Sequence, residues 1–536
     1  MFDPRLMVYL AAAAAALVAG LLLTPVVRRL AHAWGFVDCP GGRKTQVAPI
    51  ALGGGAAVFG ALLVGCLAAA LLGLASGYTV WTADDAPKLA ILLVACIAVV
   101  LLGLIDDRVH IRGRYKLLGQ LAIAGIIVVA GARIEKFMVF GQLIELQSFA
   151  IPLTLFWLLG TMNAINLIDG IDGLAGSVGT VLCLTIAAIT AWQGNVSETV
   201  ILLSLAGAQL GFLRYNFAPA SIYLGDAGSM LIGLVIGAVA VHTSVKASAA
   251  LALAVPVAVW SIPILDSAAA ILRRKLTGRS LFTPDRGHLH HSLLVRGWSV
   301  RQAALFIVLI CATTCLSAVL SVIWRNEFIA LVTVVAVLVF LIFTRTFGHI
   351  EFALLRDRVR FPVFFRDARD NADSSLSRTT CIRLQGSREW DKLWAAIIES
   401  ADTYRLTRLK LSLSIPALHE AFFATWETSA RELKQHAEDR GWRLVHPLIV
   451  DNESVGMLEI AGVSLDGSTL AQVIPVLEFL EPIEEDIRQI REHIRLDRDA
   501  VKTGQSQISL RAVRPDGKPE GTPTVPSFAP ETVLRG

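Results

Sequence analysis

The sequence predicts an all-α polytopic membrane domain of about 11 transmembrane helices, followed by a small cytoplasmic α/β domain and a disordered tail. Composition points there first, since 54% of the 536 residues are hydrophobic and only 17% are charged, unlike the usage of soluble proteins. The apolar residues are also concentrated before Phe347, in long Ala/Leu/Val/Ile runs. Charge divides at the same place: residues 1–349 carry 23 Lys/Arg against 15 Asp/Glu, and the remainder is net acidic within an overall charge of +4. A purely soluble enzyme is excluded, and no charge excess calls for nucleic acid as a partner. The expected divisions are a membrane domain at 1–346, a linker at 347–380, an accessory domain at 381–498 and a disordered tail at 499–536.

Apolar stretches long enough for a bilayer occur near 7–27, 51–75, 88–105, 117–133, 149–168, 174–192, 198–214, 229–245, 249–272, 303–323 and 327–345. The first has no charged n-region beyond Arg5 and reads as a transmembrane helix, not a cleaved signal. An odd count puts the termini on opposite sides. With the N-terminus outside, the inner loops hold sixteen Lys/Arg and the outer segments six, the orientation the positive-inside rule favours. The protein is thus expected in the plasma membrane, with the C-terminal domain cytoplasmic. Seven scattered cysteines with no CxxC pair read as small core hydrophobes.

The polar clusters gather on the cytoplasmic side. The third loop holds Asp106-Asp107-Arg108 and, further on, Lys116-Leu-Leu-Gly-Gln120. Adjacent carboxylates at a membrane edge suit a divalent metal or phosphate site in which Lys116 neutralises phosphate oxygens; the plainer reading is a polar loop with basic anchors. The fifth loop reads Asn163-Ala-Ile-Asn166-Leu-Ile-Asp169-Gly-Ile-Asp172-Gly. If it is helical up to Asp169, steps of three place Asn163, Asn166 and Asp169 along one face, and Gly170 and Gly173 let backbone approach a ligand. The seventh loop offers Arg214-Tyr-Asn216 and Tyr223-Leu-Gly225-Asp226-Ala-Gly228-Ser229, where Asp226 could be a helix cap or a hard oxygen ligand for Mg²⁺. In the ninth loop, Arg286, His288, His290 and His291 lack thiolate or HExxH partners, which favours anion binding over zinc. Arg43 and Lys44, with Gly53-Gly54-Gly55, fit either substrate contact or a flexible, positively anchored helix start.

Five ordered segments, DxPxxRK with a later GG, DDR followed by KLLGQ, NAINLIDGIDGLA, NFxPAxxYLGDAGS and PDRGHLHH, resemble the polyprenyl-phosphate N-acetylhexosamine-1-phosphate transferases over residues 1–345. The last segment resembles the bacterial branch that uses UDP-N-acetylglucosamine. The resemblance implies transfer of GlcNAc-1-phosphate from UDP-GlcNAc to undecaprenyl phosphate, with release of UMP and dependence on Mg²⁺, for which Mn²⁺ could substitute. It matches Asp226 to a metal-binding aspartate, Asn166 to an amide that helps hold the metal, and Asp106 and Asp107 to paired catalytic carboxylates. It also places Lys116 on phosphates, Asn163 on substrate, Asn216 and Tyr223 at the uracil, and Asp169 and Asp172 on the nucleotide and metal side. Arg286, His288, His290 and His291 would grip the diphosphate or the sugar, with His290 counted among the catalytic groups and Arg43 and Lys44 among the substrate contacts. Gln46 stands where the family commonly shows His, and Ala51 where it shows Pro. The implied partners are a UDP-sugar, undecaprenyl phosphate, membrane lipid and a second copy of the chain in a homodimer.

Two alternatives stay open: the same transfer from another UDP-sugar (UDP-GalNAc, a 6-deoxy sugar or UDP-MurNAc-pentapeptide), and a membrane transporter or scaffold. A transporter would carry ionisable groups near mid-span, often with repeat symmetry. Beyond Phe347, an amphipathic helix at 389–398, a strand at 409–415, a hairpin pairing 442–450 with 456–463, and a long helix at 470–494 follow from periodicity. The tail at 500–536, rich in Pro, Gly, Ser and Thr, has the composition of disorder.

Overall fold

The computed structural model describes residues 3–39, 48–139, 142–246, 254–276, 288–344, 346–348, 378–385, 389–401, 404, 406–415, 418, 420–428, 441–451, 453–463 and 469–502. It divides into two compact units, 1–375 and 376–536.

The first unit is helical: α1 (Pro4–Ala33), α2 (Gly54–Ala75), α3 (Ala86–Val109), α4 (Gly113–Val129), α5 (Ala150–Ile168), α6 (Leu174–Trp192), α7 (Val196–Asn216), α8 (Gly225–Lys246), α9 (Ala254–Leu276), α10 (Leu289–Val295), α11 (Val300–Ile323) and α12 (Glu327–Phe343). Every apolar stretch read from the sequence falls on one of these helices. Among the described residues, eight are long and apolar enough to cross a membrane, so the chain is a multi-pass membrane protein. The stretches at 117–133, 249–272 and 327–345 correspond to α4, α9 and α12, which are not among those eight; α9 contains Pro263.

Helix α8 forms the centre. Its residues Met230, Leu231, Ile232, Leu234, Val235, Ile236 and Val239 are all buried, the pattern of a helix apolar on every side. It packs against α3 and α5, with α2 and α6 alongside. Peripheral helices keep apolar faces outward, as at Leu22, Leu71, Leu101 and Phe343, which in a bilayer meet acyl chains. At one end of the bundle the α4–α5 connection is less plain than the sequence suggested, because β3 (Lys136–Val139) and β4 (Gln142–Glu145) form an antiparallel hairpin there. On the other side, β1 (Val37–Asp38) pairs with β2 (Ile50–Ala51), and Ala51 bridges to Ile222 just before α8.

The second unit is a five-stranded antiparallel sheet in the order β5-β7-β6-β9-β8, from β5 (Arg378–Gln385), β6 (Leu406–Ile415), β7 (Glu420–Glu427), β8 (Gly441–Val450) and β9 (Glu453–Val463). Alternate residues Leu409, Leu411, Leu413, Phe422, Trp426, Leu458 and Ile460 form one core with Trp390, Trp394, Val476, Ile483 and Ile487 from the helices Glu389–Glu399 and Thr469–Lys502. The expected hairpin is present, turning at Asp451 in the left-handed region (φ 52°). Two boundaries differ from expectation: β5 begins inside the predicted linker, and the terminal helix runs four residues past 498. Strand β7, which the sequence reading passed over, carries Phe422 and Trp426 as its inward residues. Most of the predicted linker, and the tail beyond Lys502, lie outside the described residues.

Candidate active site at the helix ends

Close helix contacts set the site. A Cβ on Gly55 would lie 2.2 Å from Gly228 N, and one on Gly103 would lie 2.2 Å from Ala227 Cα, so α2 and α3 meet the start of α8 backbone to backbone, as small residues permit between membrane helices. Gly54 and Gly55 donate their N–H groups to the carbonyls of Tyr223 and Leu224, at 3.1 and 2.9 Å. The glycines of the first loop therefore serve helix approach, and Ala51, where Pro was looked for, is a fully buried strand residue paired to Val37 and Ile222.

Three predicted residues converge at this junction on the ammonium group of a fourth, Lys116. Lys116 Nζ, from the first turn of α4, lies 2.9 Å from Asp106 Oδ2 at the end of α3 and 2.8 Å from Asp226 Oδ2 in the first turn of α8. Its third contact is Asn166 Oδ1 on α5, at 3.2 Å. Asn166 Nδ2 donates in turn to Asp226 Oδ1 and, at 3.0 Å, to Ser229 Oγ. The Asp226 side chain is 30% exposed against 7% for Asp106, so of the two carboxylates Asp226 is the one open to an arriving ligand.

The paired carboxylates separate in role at the level of hydrogen bonds. Asp106 Oδ1 accepts the backbone N–H of Ile111 at 2.7 Å and braces the α3–α4 turn. Asp107 Oδ1 accepts the backbone N–H of Asp226 at 2.8 Å, capping α8 from another helix and satisfying a donor that the helix start leaves unpaired. Asp107 Oδ2 is buried with no hydrogen-bond partner among the described residues.

Asp169 follows α5 as its C-terminal cap. Burial raises its carboxyl to about 8, and the neighbouring Asp226, Asp107 and Asp172 carboxylates push the same way. Asn163 sits one turn deeper, donating to Gln120 Oε1 at 2.8 Å and to Leu159 O. Gln120 is fully buried and also reaches Met230 Sδ.

A second group lies between the α5–α6 and α7–α8 turns. Asp172 Oδ2 accepts the Ala220 N–H at 2.9 Å. Asn216, expected at the uracil, is buried and ties the two turns together: its Oδ1 accepts from Gly173 N and its Nδ2 donates to Ile222 O. Tyr223 has its phenol pushed up to about 12 by burial, with Asp172 and Asp38 adding to the effect, so it remains a donor.

The histidines form a third group on α10. His288 Nδ1 is 2.9 Å from Asp266 Oδ2, and its ring stacks on His290 at a centroid distance of 5.8 Å; His291 tilts against His290 at 4.2 Å. A Cβ on Gly170 would lie 2.2 Å from His290 Nε2, so the histidine segment docks onto the turn beside Asp169. Burial lowers His290 to about 3, with His291 contributing, so this ring is neutral. Asp266 escaped the sequence reading, although a lone carboxylate inside an apolar stretch is itself a signal. Arg43, Lys44 and Arg286 lie outside the described residues.

The donor set suits a hard divalent cation. Asp106 and Asp226 share one lysine, and Asp107, bound to the Asp226 backbone, adds a third carboxyl with an orphan buried oxygen. Among the described residues no three His, Cys, Asp or Glu side chains are placed to hold an ion by themselves.

The pattern described as glycosyl transferase family 4 matches residues 89–244, which run from α3 to α8 and contain the whole lysine–carboxylate cluster. The probable undecaprenyl-phosphate N-acetylglucosaminyl 1-phosphate transferase of Bacillus subtilis (strain 168) is 33% identical over 340 residues, 62% of this chain and 92% of that protein. This chain belongs to glycosyl transferase family 4. The family resemblance extends to the decaprenyl-phosphate N-acetylglucosaminephosphotransferase of Mycolicibacterium smegmatis, 34% identical over 342 residues, 59% of this chain and 83% of that one. It reaches the phospho-N-acetylmuramoyl-pentapeptide-transferase of Caldanaerobacter subterraneus, 30% identical over 195 residues, 35% of this chain and 59% of that one. As a glycosyl transferase family 4 member, the chain is a membrane transferase whose relatives carry the names of polyprenyl-phosphate sugar-phosphate transferases.

Proposed function

We propose that this protein transfers GlcNAc-1-phosphate from UDP-GlcNAc to undecaprenyl phosphate at the cytoplasmic face of the plasma membrane, releasing UMP. The observation that carries the reading is the junction of Lys116, Asp106, Asp226 and Asn166 at the ends of four helices. In the reaction, an oxygen of the lipid phosphate attacks the phosphorus that bears the sugar, and the bond from that phosphorus to the UMP oxygen breaks. Both reactants are anionic, so the main work is to cancel repulsion, and a phosphate nucleophile needs little help from a base.

Asp226 and Asn166 would hold Mg²⁺, which supplies charge neutralisation and orientation at the diphosphate. Lys116, now shared between two carboxylates, is positioned to pair with phosphate oxygens, and Asp106 orients it. Asp107 keeps the start of α8 in place. Asp169 and Asp172 would serve the nucleotide side with Tyr223 as a phenolic donor, and His288, His290 and His291 would serve the diphosphate and sugar, a role the family resemblance also gives to Arg286, Arg43 and Lys44. The charged cluster lies at helix ends, whereas an ion path calls for such groups at mid-span.

The proposed topology has eleven crossings, the N-terminus outside and the residues beyond 376 in the cytoplasm. Transfer of labelled sugar phosphate by purified protein, with UDP-GlcNAc, UDP-GalNAc and UDP-MurNAc-pentapeptide in parallel, tests the donor. Lipid-linked product from one of the other donors alone would replace GlcNAc in the reading.

A further inference from the structure

Asp266 lies in the apolar body of α9 and is 2% exposed. An ionised carboxylate there needs compensation, and it has two partners. Oδ1 accepts the backbone N–H of Leu289 at 2.8 Å, and Oδ2 lies 2.9 Å from His288 Nδ1. One carboxylate therefore fixes both the backbone at the start of α10 and the imidazole of the preceding residue. A carboxylate facing Nδ1 requires a proton on that nitrogen, which selects the tautomer and leaves Nε2 as the variable position of the ring.

The orientation is passed on. The His288 ring lies nearly parallel to that of His290, 7° between planes, and His290 is wedged against Gly170, where no Cβ fits. Turning His288 would displace His290 from the Asp169–Gly173 turn.

We infer that Asp266 is a positioning residue for the transfer reaction, holding His288 in the Nδ1-protonated tautomer and fixing the direction of its Nε2. This rests on the reading proposed above, in which the histidines face the diphosphate or sugar.

Asp266→Asn separates positioning from folding, because its amide oxygen can still accept the Leu289 N–H while its NH₂ group forces Nδ1 to become an acceptor. A first measurement needs no turnover: ¹⁵N spectra of histidine-labelled full-length protein, with His288→Gln to identify the ring. Wild type should show Nδ1 protonated, and Asp266→Asn should show Nε2 protonated. An unchanged tautomer overturns the assignment whether or not the protein proves to be a transferase.

Kinetics provide the second measurement. Asp266→Asn should melt close to wild type yet lose about 10–100-fold in kcat, the range seen when a partner orienting a functional histidine is removed. KM for undecaprenyl phosphate should stay within about twofold, and the double variant with His288→Gln should be no slower than His288→Gln alone. Wild-type kcat in folded Asp266→Asn, or losses that multiply in the double variant, would overturn the proposal. If Asp266→Asn does not fold, Asp266→Glu carries the same cycle: coupling to His288→Gln supports the proposal and additivity overturns it. A wild-type protein that transfers no sugar phosphate while showing the expected tautomers would instead sink the catalytic reading.

Discussion

Asp106 and Asp107 are neighbours in sequence with different tasks, and only the hydrogen bonds tell them apart. Asp107 accepts the Asp226 N–H, so Asp107→Asn, which keeps an acceptor at the cap, should melt near wild type. Asp107→Ala should lose about 1 kcal/mol, measurable as a lower melting temperature, together with activity, because Asp226 then sits on a frayed turn. Equal melting of the two variants would remove the capping role. His290 supplies a pH effect of definite sign. Its ring stays neutral in the fold down to about 3, while in the unfolded chain it protonates below about 6.5. Between these limits the unfolded chain binds more protons, so its contribution is complete above about 6.5 and is lost as pH falls toward 3. Melting temperature should therefore drop between pH 7 and pH 5, and less so in His290→Gln; equal drops would contradict this. At this scale the sequence was informative about identity and poor about geometry: Lys116, Asn166 and Asp226 were named together, but Asn216 gave no hint that both ends of its amide would be used by Gly173 and Ile222.

Among elements, the decisive feature is the meeting of α2 and α3 with the N-terminus of α8. The cluster exists because Gly55 and Gly103 let backbones touch there, which brings Asp106 and Asp226 within reach of Lys116 and Asp107 onto the backbone of Asp226, in the first turn of α8, where a helix favours negative charge. Gly103→Ala must push α3 away from Ala227, and Gly55→Ala must do the same to α2. Each should cost about 1–3 kcal/mol and reduce transfer although neither residue touches substrate; wild-type melting and activity in both would show that the junction is not close-packed. Apolar stretches revealed the helices, because a bilayer demands them. The β3–β4 hairpin and the α10 helix escaped notice, since four-residue strands and a seven-residue helix leave little periodicity to read. In the second unit, the alternation of β6 and the turn at Asp451 were legible, whereas β7, with apolar residues on both faces at Phe422 and Phe423, has no clean alternation.

For the whole molecule, the proposed chemistry lies entirely in the first unit. The Bacillus relative is matched over 92% of its length by 62% of this chain, so a transferase of this family need not carry a counterpart of the whole remaining third. The second unit closes its own core with Trp390, Trp394 and Trp426. Removal of residues 376–536 should accordingly leave a membrane protein with turnover of the same order; complete loss in a well-folded truncation would make the second unit part of the machinery. The central claim is that the Lys116–Asp106–Asp226 junction performs sugar-phosphate transfer to a lipid phosphate. The most direct test is purified protein with Mg²⁺, UDP-GlcNAc and undecaprenyl phosphate, beside Asp226→Asn. Lipid-linked GlcNAc-1-phosphate and UMP in equal amounts, both lost in the variant, are the predicted result. Undiminished transfer by Asp226→Asn, or no transfer by folded wild type from any of the three UDP-sugars, would contradict it.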